Sequence, residues 1–236
     1  MNRSFTLGSL VLALMLGSSS AARGDFINGS FDGPTTTYSL TPPGWTPIET
    51  PDTVDATGHP FGDAFFGIAR QPYGASSDGG TFVWAGGRPQ GQEGLSQTLT
   101  SLVVGTPIEI SFEYTNLGLY DDAGNLASDA FGVSQNYQNS GLWRVELDGV
   151  LLAETLAISP FAIPGSHVWS SFATTFVPTA SSHTISFSAW NTTTNGSGHV
   201  GMGIDAASAR AVPEPDLVLL MFATLAAARP LRRRLH

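Results

Sequence analysis

Along most of this chain, hydrophobic and polar residues alternate with a period of two. Ile108, Ile110, Phe112 and Tyr114 interleave with Glu109, Ser111, Glu113 and Thr115, as a strand with one buried face requires. Trp143, Val145 and Leu147 alternate with Arg144, Glu146 and Asp148, after which Asp148 and Gly149 supply a two-residue turn into Val150, Leu151 and Leu152. Ile185, Phe187 and Ala189 alternate with Thr184, Ser186 and Ser188. Shorter strands are predicted at residues 26–31, 64–69, 95–99, 172–177 and 200–206, and no stretch of the central region carries a helical period. Short strands separated by Gly, Pro, Asn and Ser clusters predict an all-β fold, an antiparallel β-sandwich with jelly-roll topology. Residues 35–63, 70–94 and 118–140 read as loops too long for hairpins, where binding is expected.

Both terminal segments break this pattern. Arg3 precedes an apolar core from Leu7 to Leu16, followed by Ser18, Ser19, Ser20, Ala21 and Ala22, the layout of a secretory signal peptide. At the other end, Val212, Pro213, Glu214 and Pro215 form a rigid turn. Leu217 to Ala228 is then an uncharged apolar run, and Arg229, Arg232, Arg233 and Arg234 make a basic end. As a helix the run covers about 18 Å at 1.5 Å per residue, short of the ~30 Å hydrocarbon core of a bilayer. Its apolar residues lie on every face, unlike a surface helix with a polar stripe. The expected organisation is a signal helix over residues 1–24, a sandwich domain over 25–210 and a tail with a short hydrophobic helix over 211–236.

Pro213-Glu214-Pro215, the apolar run and Arg232-Arg233-Arg234, in that order at the C-terminus, resemble the PEP-CTERM sorting tail of exported proteins in Gram-negative bacteria. The resemblance implies export machinery and an exosortase as partners, with an inner-membrane intermediate before release to the cell surface or extracellular matrix. Asp216 at the mouth of the run, the run's shortness and Pro230 within the basic end depart from that family's pattern.

Composition narrows the chemistry. The chain has no cysteine, which excludes disulfides, thiolate metal sites and thiol catalysis, and it has no lysine. Between residues 25 and 210, four arginines face seventeen Asp and Glu, a net charge of −13. Such a surface repels nucleic acid and anionic lipid, while neutral polysaccharide is compatible with it.

A second resemblance lies in the strands. Asn28-Gly29-Ser30-Phe31-Asp32, Pro43-Gly44-Trp45, Leu95-Ser96-Gln97-Thr98-Leu99 and Gly203-Ile204-Asp205 are similar to segments of galactose-binding-like jelly rolls of carbohydrate-binding modules. That resemblance implies a structural calcium held by Asp32 and Asp205. Calcium takes six to eight oxygens, so loop carbonyls and Asp52 or Asp55 would complete the set. Sugar binding uses aromatic faces that stack on pyranose C–H groups, and the loop aromatics Tyr73, Trp84, Tyr120 and Tyr137 are the candidates. Trp45, Trp143, Trp169 and Trp190 lie in or beside predicted strands and are expected to pack there.

Catalytic motifs are missing. The five histidines form neither a His-x-His pair nor a His-Glu-x-x-His helix, and no Gly-x-Ser-x-Gly elbow exists. Gly196-Ser197-Gly198-His199-Val200-Gly201 matches a dinucleotide-binding pattern but precedes a strand, so it reads as a hairpin loop. The carboxylate pairs Glu109 with Glu113 and Glu146 with Asp148 fall on polar strand faces and read as solvated surface. The expectation is therefore a non-catalytic, exported, carbohydrate-binding β-sandwich. A secreted polysaccharide hydrolase or lyase, and a self-associating surface protein without a small ligand, are the alternatives.

Overall fold

In the computed structural model, which describes residues 24–35, 39–58, 71–87, 92–121, 123–126, 137–192 and 198–212, the alternating segments pair into two five-stranded antiparallel sheets. The strands are β1 (Thr46–Ile48), β2 (Asp52–Asp55), β3 (Thr81–Gly87), β4 (Gly94–Leu99), β5 (Ile108–Asn116), β6 (Gly141–Leu147), β7 (Val150–Glu154), β8 (Ser170–Phe176), β9 (His183–Asn191) and β10 (Val200–Ala211). The first sheet runs β1-β4-β9-β6-β7 and the second β2-β3-β10-β5-β8. Strands adjacent in sequence repeatedly lie in different sheets, as in a jelly roll. Among the described residues no helix is long and apolar enough to cross a membrane.

The inward residues of both sheets close one core. Ile185, Phe187 and Ala189 of β9 and Trp143 and Val145 of β6 meet Ile108, Ile110 and Phe112 of β5 and Met202 and Ile204 of β10, all buried. Trp143 has no exposed surface, and its indole N–H donates to the Gly203 carbonyl at 3.0 Å, so its polar atom is satisfied inside the core. The β6–β7 turn is the expected one: Asp148 and Gly149 both have positive φ, 51° and 79°, as a type I′ hairpin needs. Asp148 then accepts from the Thr184 amide and from His183, bonds that hold its carboxyl below the usual range.

Several expectations need correction. Residues 26–31 form turns instead of a strand. Asn28 and Phe31 take positive φ, and the Phe31 amide bonds the Asn28 carbonyl, yet Phe26 and Phe31 still fill the core around Trp45. The loops predicted at 35–63 and 70–94 contain β1, β2 and β3. The glycine-rich stretch before Val200 links β9 in one sheet to β10 in the other, so it is not a hairpin. The strand predicted at 64–69, the signal segment and, beyond Val212, the sorting motif (Pro213, Glu214, Pro215, Arg232, Arg233, Arg234) lie outside the described residues.

The two segments at the margins of the described domain meet at one end. The Asp25 carboxylate accepts from the Ala209 amide at 2.9 Å near the end of β10, and the Val212 amide bonds the Pro107 carbonyl at 2.9 Å before β5. The same end holds the β4–β5 loop and the β8–β9 loop, joined by bonds from Leu102 to Ser181 and from Gly105 to Pro178.

Candidate functional site

The outer faces of the two sheets differ in chemistry. On the second sheet, Phe82 and Trp84 of β3 point away from the main core and join Val54, Tyr73, Leu117, Leu119, Tyr120 and Tyr137 in a second buried cluster, with Trp169 packed against it. Glycines in β10 make this cover possible. A Cβ on Gly201 would stand 2.5 Å from the Gly118 carbonyl oxygen and from Trp84 Nε1, and one on Gly203 would stand 2.8 Å from Leu117. His167 fastens the cover: Nδ1 lies 2.5 Å from the Tyr73 carbonyl, and Nε2 lies 2.9 Å from the Tyr120 hydroxyl and 3.1 Å from the Leu117 carbonyl. Burial pulls its pKa below the ordinary value despite those carbonyls.

This arrangement corrects the aromatic assignment. Tyr73, Trp84, Tyr120 and Tyr137 are at most 5% exposed, so their rings pack on protein and present no stacking face to solvent. Contrary to the expectation of loop positions, Trp84 lies on β3 and the other three roof the sheet. Beside this roof, Gln71, Pro72, Ala123, Gly124, Ala162, Ile163 and Pro164 line an open cleft of about 500 Å³, with no charged side chain among the described residues.

Each of the four predicted metal ligands has hydrogen bonds of its own. Asp32 accepts from Ser30 at 2.9 Å, Asp52 from the Ser39 amide at 2.6 Å, and Asp55 from the Thr57 amide at 2.8 Å. Asp205 is fully buried and bonded by Ser76 and by the Ala206 amide. Burial raises its carboxyl to about 7, Asp78 and Glu113 add to the rise, and its two hydrogen bonds oppose it. Among the described residues no three histidine or carboxylate side chains converge as metal ligands.

The outer face of the first sheet carries the more versatile surface. Because Ile185, Phe187 and Ala189 point inward, Thr184, Ser186, Ser188 and Trp190 of β9 point outward. Register places Ser186 beside Ser96 of β4 and Glu146 of β6, and Ser188 beside Arg144, which pairs in turn with Glu154 of the edge strand β7. Ser188 is buried, and Ser96, Ser186, Glu146 and Glu154 form a partly exposed band of hydroxyls and carboxylates across the sheet.

At its upper end the band becomes aromatic. The Arg144 guanidinium carbon lies 3.2 Å from the centre of the Trp190 indole, and Arg144 Nε donates to Glu154 Oε1 at 2.7 Å. Glu154 thus orients a planar cation on an aromatic face. Trp190 is half-buried, and the Arg144 and Glu154 side chains are 26% and 37% exposed. Stacking surface, fixed donors and free carboxylate oxygens lie within one strand spacing, a combination able to engage polyhydroxylated rings. Sequence reasoning passed over Trp190 by assigning it to packing. The available signal was its phase, since it follows Thr184, Ser186 and Ser188 on the polar face.

No family model matches the chain, and no curated protein matches it. Solved structures share the fold. A cyclase from Fischerella sp. TAU aligns with TM-score 0.50 at 16% identity, covering 80% of this chain and 96% of that one. The CBM22-1 xylan-binding domain from Paenibacillus barcinonensis aligns with TM-score 0.38 at 12% identity over 77% of this chain and 92% of that one. The C-terminal CBM6 of LamC from Zobellia galactanivorans aligns with TM-score 0.34 at 12% identity over 68% and 98%.

Proposed function

We propose that this protein is an exported, exosortase-processed component of the cell envelope or extracellular matrix, whose jelly roll binds neutral polysaccharide without catalysis through the outer face of its first sheet. The carrying observation is the Trp190–Arg144–Glu154 assembly beside a hydroxyl-lined band. The outer side of the guanidinium stacked on the indole offers flat surface to sugar C–H faces, while Glu154, Glu146 and Ser186 exchange hydrogen bonds with hydroxyl groups. The net charge of −13 across residues 25–210 favours an uncharged glycan over a polyanion. Export and sorting rest on the order of apolar and basic blocks at the two ends of the sequence.

One observation favours an enzyme. A carboxyl held near 7, as at Asp205, suits a general acid. Asp205 has no exposed surface and lies under Ser76, however, so it is placed to act on the fold and not on a substrate.

Intact mass of the protein purified from its native envelope tests export and processing. Loss of the leader together with loss of the segment after Pro213-Glu214-Pro215 is expected, and a full-length mass would overturn that part of the reading. Retention of residues 25–210 on immobilised neutral polysaccharides tests binding, and passage through every column would overturn it.

A further inference from the structure

We infer that the end of the sandwich bearing both chain exits is a lipid-contact surface, seated on the bilayer interface while the apolar end segments are inserted. This inference rests on the membrane intermediate proposed above. Its own observation is a ring of exposed aliphatic residues at that end. Val103 and Val104 of the β4–β5 loop are 49% and 59% exposed, Val177 after β8 is 54% exposed, and Val212 after β10 is 36% exposed. Val150, the first residue of β7 after the neighbouring turn, is 69% exposed.

Backbone bonds hold this ring together: Gly105 to Pro178, Thr106 to Val103 and Val212 to Pro107, at 2.9–3.1 Å. Exposed aliphatic side chains also stand elsewhere, Leu156 and Ile163 among them, and what sets these apart is that they share the end from which both apolar segments leave. The chain outside the described domain indicates what covers it. Leu217, where the uncharged apolar run begins, lies five residue steps beyond Val212, and a fully extended chain spans at most about 3.6 Å per residue. Once that run enters lipid, the ring stands no more than about 18 Å from it. On the N-terminal side, Asp25 bonds the Ala209 amide, so the leader with its apolar core from Leu7 to Leu16 departs from this same end. Two insertable segments leaving one end orient that end toward the membrane.

Charge selects the kind of lipid. Asp25, Glu109 and Asp148 share this end with Arg210, the register partner of Glu109. Among the described residues of this end, three carboxylates stand against one guanidinium, which disfavours an anionic surface, so a zwitterionic interface is the expected partner.

The absence of cysteine permits a clean test. In the full chain, Val104→Cys and Ser159→Cys place one thiol each at the lipid-facing end and at the opposite end, and a thiol-reactive fluorophore is attached. Each protein is reconstituted into phosphatidylcholine vesicles carrying a headgroup-level nitroxide quencher. The label at 104 should lose about half of its emission, as expected for shallow interfacial contact, while the label at 159 keeps its own. Equal quenching at both sites, or none at 104 in protein that floats with the vesicles, overturns the lipid contact alone. The same holds for self-association that shields position 104 without quenching. Failure of the full chain to float with vesicles overturns the membrane intermediate as well.

Discussion

The Arg144 guanidinium lies over Trp190, its carbon 3.2 Å from the ring centre, and Glu154 holds it there through a 2.7 Å bond. Exposed cation–π pairs contribute about 0.5–1 kcal/mol. A double-mutant cycle of Arg144→Ala and Trp190→Ala, read by urea denaturation, should return a coupling of about that size. Zero coupling would mean that the stacked geometry does not persist in solution.

Asp205 should make stability fall as pH rises. Its ordinary carboxyl value is about 3.9, and burial raises the folded-state value to about 7. The folded chain therefore keeps the proton more tightly than the unfolded chain. Its contribution is complete below about pH 4 and is lost as pH climbs through 7, up to about 4 kcal/mol for a shift of about three units. Asp205→Asn keeps a neutral group in place, so thermal melting between pH 4 and 8 should fall less steeply for the variant. The variant should also be the more stable of the two at pH 8. Parallel profiles would count against a buried, proton-holding Asp205.

Gly29 marks the closest approach of the N-terminal turns to β10. A Cβ there would stand 1.9 Å from the Ala207 carbonyl oxygen, while the Ala207 amide bonds the Gly29 carbonyl at 2.8 Å. Neither backbone can yield without breaking this contact at the register shift between Asp205 and Ser208. Gly29→Ala should cost about 2–3 kcal/mol, read as a lower urea midpoint. An unchanged midpoint would show that the turn segment is not docked.

Chelation should leave the melting midpoint unchanged, because the candidate aspartates are engaged separately and do not converge among the described residues. A midpoint lowered by chelator and restored by calcium would show that backbone carbonyls complete a site beside Asp32 or Asp205.

The legible part of the fold was the part with one solvent-facing sheet surface. β5, β6, β8 and β9 alternate because one side meets the core and the other meets water, and the Asp148–Gly149 turn has chemistry of its own. β3 escaped because Thr81–Gly87 is covered on both faces, so its sequence, Thr-Phe-Val-Trp-Ala-Gly-Gly, lacks alternation. β1 and β2 are three and four residues long, too short for a period to register. The site was misplaced for a related reason. Aromatic residues between predicted strands read as exposed, whereas a loop laid over a sheet buries them. Trp190, in phase with three hydroxyl residues, was the aromatic whose outward direction the sequence did encode.

The most direct measurement compares residues 25–210 with the Arg144→Ala/Trp190→Ala double variant on an array of neutral glycans, with both melting midpoints recorded. Binding by the parent fragment and its loss, by about tenfold or more, in a variant that melts within a few degrees of the parent is the predicted result. Equal binding by both proteins, or no glycan bound by the parent, would contradict a sugar-binding face built on β6, β7 and β9.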